Sequence, residues 1–74
     1  MKLFFAALDF ETGLSPTFKI YDFSTGDLLD SGNVSEFLNT GIYYVDVDLS
    51  DEIDYIVIVE QGNWKSFKYI PKIG

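Results

Sequence analysis

The stretch Ile42-Tyr43-Tyr44-Val45-Asp46-Val47-Asp48-Leu49 decides the fold class. Its side chains alternate. Tyr43, Val45, Val47 and Leu49 fall on one face, and Ile42, Tyr44, Asp46 and Asp48 fall on the other. A period of two places successive side chains on opposite faces of a β-strand. The first set is therefore expected to point into a core, and the second toward solvent or a partner. Outward from this strand, apolar runs rich in β-branched and aromatic residues recur, broken by turn signals roughly every 8 to 12 residues, the spacing of a sandwich or barrel. No segment sustains the i, i+3, i+4, i+7 pattern of an amphipathic helix.

The strands are expected at Lys2 to Asp9, Thr17 to Phe23, a short extension Leu28 to Asp30, a short strand or arm Asn33 to Leu38, Ile42 to Leu49, Ile53 to Gln61, and Trp64 to Ile70. Gly13 to Pro16, Ser24 to Asp27, Ser31-Gly32, Asn39 to Gly41 and Ser50 to Glu52 read as turns. Gly62-Asn63 reads as a two-residue hairpin turn, with glycine first, as type II′ requires. Pro71 ends the last strand, because it cannot donate to a ladder. Tyr55 to Val59 is apolar on both faces, so that strand is expected to be central or covered. The expectation is a single all-β domain over residues 1–74. It is a small antiparallel β-sandwich of six to seven strands, immunoglobulin-like or transthyretin-like.

Seventy-four residues make a thin core, and such small domains lean on disulfides, metals, oligomerisation or dense aromatic packing. Cysteine and histidine are both absent, whereas aromatics make up 18% of the chain. The formal net charge is −7, with five lysines and no arginine. A phosphate-binding groove needs clustered cations, so neither nucleic acid nor an anionic membrane is expected as a partner. The apolar run Leu3 to Leu8 meets Asp9 and Glu11 at once, so it reads as a strand and not as a signal peptide. No run has the length of a membrane span.

Catalytic equipment is not visible. The serines have no histidine to activate them, and the acids sit in turns or outward positions. Neither a dinucleotide-binding nor a phosphate-binding glycine loop is present. No activity and no cofactor are expected. Asp46, Asp48, Asp51, Glu52 and Asp54 are the densest acidic cluster. They depart from the calcium-loop template at Ser50 and Asp51, so no metal site is expected and the cluster reads as a solvated face and turn. Tyr21, Tyr44, Trp64 and Tyr69 are the aromatics expected outside. An aromatic face on Ile42, Tyr44, Trp64 and Tyr69, joined by Tyr55 and Val57 of the two-faced strand, is the candidate interface.

Two segments carry a family resemblance. One is Gly13-Leu14-Ser15-Pro16-Thr17-Phe18-Lys19-Ile20-Tyr21-Asp22, continuing to the turn at Gly26. The other is Thr40-Gly41-Ile42-Tyr43-Tyr44. Together they resemble small immunoglobulin-like β-sandwich domains in structural proteins of tailed bacteriophages, such as capsid decoration, head-fibre, neck or tail components. The resemblance covers about residues 13 to 70 and includes Trp64 in its terminal hairpin. It carries no catalytic or ligand residue. It implies a virion accessory protein, made in the host cytoplasm and held in several copies by contacts with other virion proteins. A carbohydrate-binding or adhesin-like module, with Trp64 and neighbouring tyrosines as its platform, is the alternative expectation.

Overall fold

The computed structural model describes residues 1–73. Seven strands build two antiparallel sheets. In chain order they are β1 (Lys2–Ala6), β2 (Thr17–Asp22), β3 (Leu28–Asn33), β4 (Ser35–Glu36), β5 (Ile42–Asp46), β6 (Tyr55–Gln61) and β7 (Trp64–Ile70). One sheet has the order β1-β5-β4 and the other β3-β2-β6-β7. The chain is a small β-sandwich. The strand orders follow those of an immunoglobulin sandwich: β1-β5-β4 correspond to B-E-D, and β3-β2-β6-β7 to C′-C-F-G. Among the described residues, the other edge of β1 pairs with no strand.

The core lies between the sheets. Leu3, Phe5 and Val45 from one sheet meet Ile20, Tyr55, Val57 and Val59 from the other. Alternation on β5 is as expected: Tyr43 and Val45 are buried, whereas Ile42 and Tyr44 lie on the outer side. The hairpin between β6 and β7 pairs Gln61 with Trp64, leaving a two-residue loop. Gly62 has φ +57°, and Asn63 is not among the positive-φ residues. A left-handed first position alone is the type II′ signature.

Several boundaries differ from the sequence reading. β1 stops at Ala6, because Leu8–Phe10 form a 3-10 turn with Asp9 and Phe10 at positive φ. This turn crosses Gly41 so closely that a Cβ there would lie 2.2 Å from the Phe10 carbonyl oxygen. Gly41 thus serves a close backbone approach as well as a turn. Ser31-Gly32, expected as a turn, lies inside β3 instead. Gly32 pairs with Phe18 on β2, whose ring covers the glycine; an added Cβ would meet Phe18 Cε1 at 2.9 Å. An aromatic packed over a cross-strand glycine restores the contact that the glycine lacks. β4 shrinks to two residues. Val47 is outside β5 but still exchanges backbone hydrogen bonds with Met1.

Two buried tyrosines fasten loops to the sandwich. The Tyr43 hydroxyl donates to the Glu11 carbonyl and accepts from the Leu14 N–H. The Tyr55 hydroxyl accepts from the Ser50 N–H. No buried side-chain polar atom among the described residues lacks a partner. A small core tolerates tyrosine inside because each hydroxyl reaches an irregular backbone segment that needs one.

Candidate functional site

The outer face of the three-stranded sheet carries an apolar groove. Its register follows from the backbone. Met1 and Val47 bond to each other in both directions, and the Ala7 N–H donates to the Gly41 carbonyl. Antiparallel pairs alternate between bonded and non-bonded types. Leu3/Val45 and Phe5/Tyr43 are therefore the bonded pairs, and Lys2/Asp46, Phe4/Tyr44 and Ala6/Ile42 the non-bonded ones. Two consequences follow. Side chains of non-bonded pairs sit closer, and the Phe4 and Tyr44 rings lie 5.9 Å apart on the outer face. The N–H and C=O groups of Lys2, Phe4 and Ala6 also point away from β5, onto an edge that pairs with no strand among the described residues.

Phe37, just past β4, approaches the same face. Its N–H donates to the Ile42 carbonyl. Lys2, Phe4, Phe37, Ile42 and Tyr44 line an open groove of about 690 Å³. Phe4 and Phe37 are each about half exposed. One ion-pair cluster stands beside it. Asp46 pairs with the N-terminal ammonium at 3.5 Å and with Lys2 at 3.9 Å. Glu36 accepts from the Gly13 and Gly41 N–H groups and so ties two loops to the short β4.

The expected aromatic face is divided. Ile42 and Tyr44 share the groove. Tyr55 and Val57 are buried in the core, so their side chains reach no surface. Trp64 turns inward against the core, its ring 5.7 Å from that of Tyr43. Tyr69 is exposed on the outer side of the four-stranded sheet, edge-on to Phe23 at 5.4 Å. These placements follow from parity: Tyr55, Val57 and Trp64 occupy inward positions of β6 and β7, and Tyr69 an outward one. Sequence reasoning missed Phe4, Phe37 and Lys2. The usable signal was the burial alternation of Leu3, Phe5 and Ala7, which leaves Phe4 outward; the unbroken apolar run hides it.

A second, smaller cleft of about 350 Å³ lies at the end of the sandwich, between the β1–β2 loop and the β6–β7 hairpin. Glu11, Leu14, Gln61, Asn63 and Trp64 line it. Among the described residues, no group of three or more acidic side chains gathers as a metal site. Asp54, from the expected acidic cluster, instead caps the Lys72 N–H at 2.7 Å.

No family model matches the sequence, and no curated protein or solved structure proves similar to it.

Proposed function

We propose that this chain is a non-enzymatic docking protein of a tailed-phage particle, seated through the groove and the neighbouring open edge of β1. The single observation that carries the docking reading is the placement of the Phe4, Phe37, Ile42 and Tyr44 side chains around one concavity beside unpaired strand backbone. A concave apolar site desolvates an inserted side chain on several sides, which is how hot-spot anchors work. An open edge accepts an extended segment by strand addition. The apolar lining and the chain's net charge of −7 favour a partner with apolar anchors and a basic rim. Repulsion between two such acidic chains disfavours self-pairing on this face. Several copies on a particle would then be spaced by the particle's own symmetry. The particle assignment rests on the resemblance of residues 13 to 70. The absence of histidine and cysteine supports a role without chemistry.

The test is to purify tailed-phage particles produced by the genome carrying this gene and to quantify the chain by mass spectrometry. Incorporation at a fixed copy number per particle is expected. Particles free of the chain overturn the assignment.

A further inference from the structure

The cleft at the end of the sandwich is separate from the docking groove. Its walls are tied together. The Tyr43 hydroxyl holds the β1–β2 loop through Glu11 and Leu14. The Ser15 N–H of the same loop donates to the Gln61 carboxamide oxygen at the base of the hairpin. The cleft is therefore preformed, which spares a ligand the entropy of ordering it. Trp64 supplies an aromatic surface and is itself braced against Tyr43. Around it stand three planar polar groups, the Glu11 carboxylate and the Gln61 and Asn63 carboxamides. With its oxygen engaged, Gln61 keeps its amide N–H donors for a ligand.

We infer that this cleft binds a neutral saccharide. An indole surface suits the apolar C–H face of a sugar ring. Carboxylate and carboxamide groups suit adjacent hydroxyls, each of which both donates and accepts. No lysine lines the cleft, and Glu11 opposes anions, so phosphorylated or acidic ligands do not fit. A volume near the lower end of the usual ligand range of about 300–1,000 Å³ suits a short saccharide.

Trp64 is the chain's one tryptophan and lines the cleft, so a change in its emission can report ligand binding there. The full chain is titrated with glucose, galactose, mannose, N-acetylglucosamine and their short neutral oligomers. At least one probe is expected to give a saturable change by about 50 mM, well above a dissociation constant of ~1 mM. Asn63→Ala lies in an exposed turn and should weaken that response at least tenfold with an unchanged circular-dichroism spectrum. Phe67→Ala, on the outer face of β7 and outside the cleft, should leave it unaltered. Failure of every probe to saturate overturns the inference, as does unweakened binding by Asn63→Ala. Because this site shares no lining residue with the groove, particle incorporation can fail while saccharide binding stands, and the reverse.

Discussion

The hydroxyl of Tyr43 on β5 lies 2.9 Å from the carbonyl oxygen of Glu11, 32 residues earlier in the chain. The Tyr43 hydroxyl oxygen in turn accepts the Leu14 N–H at 3.1 Å. One fully buried side chain thus closes the core and holds the loop that leads from one sheet to the other. Tyr43→Phe keeps the ring and leaves two backbone groups without a partner. The expected loss is about 1–3 kcal/mol. For a domain of this size that lowers the melting temperature by about 4–8 °C per kcal/mol. Thermal melts followed by circular dichroism check this; an unshifted melt would show that the loop holds without the hydroxyl.

The glycines separate by environment. Gly26 and Gly41 both have positive φ, 78° and 75°. Nothing lies within 4 Å of a Cβ at Gly26, whereas one at Gly41 would strike the Phe10 backbone. Gly26→Ala should cost about 1–2 kcal/mol from left-handed strain alone. Gly41→Ala should cost clearly more, because the Leu8–Phe10 turn must move as well. Urea midpoints of the two variants measure the difference, and equal midpoints would contradict the close approach.

Lys68 on β7 points inward across the open side of the sandwich, its ammonium 5.1 Å from the Phe5 ring centroid on β1. An inward charge at a sheet edge discourages another strand from pairing there. Lys68→Leu keeps the covering of Phe5 and removes the charge. Sedimentation velocity should show the variant self-associating at concentrations where the parent chain is monodisperse. A variant as monodisperse as the parent would remove this protective role.

Twelve acidic residues face five lysines, and the ion pairs that do form are exposed: Lys65 with Glu60 at 3.3 Å, and Lys2 with Asp46. Exposed pairs contribute little. Net repulsion should outweigh them. Raising ionic strength from about 0.01 to about 0.15 M shortens the screening length from about 30 to about 8 Å, so the melting temperature should rise. A fall would mean that the few pairs dominate.

Much of the fold was legible because the local code was clean. Alternation in Ile42 to Val47 assigned Tyr43 inward and Tyr44 outward, and Gly62-Asn63 marked the hairpin. What was not legible depended on distant partners. Gly32 looks like a turn until Phe18 covers it from the adjacent strand. Phe4 joins Tyr44 only because β1 pairs with β5 across some forty residues, a register that no local pattern encodes. Trp64 looks like a surface aromatic by its neighbours Asn63 and Lys65, yet the parity of β7 turns it inward. Tyr55 and Val57 belong to a strand apolar on both sides, where periodicity cannot say which side is the core; the outward Ile56 and Ile58 are half-buried too.

The docking account is tested most directly by comparing charge insertion on the two outer faces. Tyr44→Asp and Phe67→Asp both replace a surface-facing aromatic on a strand, one in the groove and one on the opposite sheet, where Phe67 is 64% exposed. The measurement is the amount of each folded variant retained on particles lacking the wild-type chain. Retention lost for Tyr44→Asp and kept for Phe67→Asp is the predicted result. Retention of Tyr44→Asp at the parent level would contradict the account.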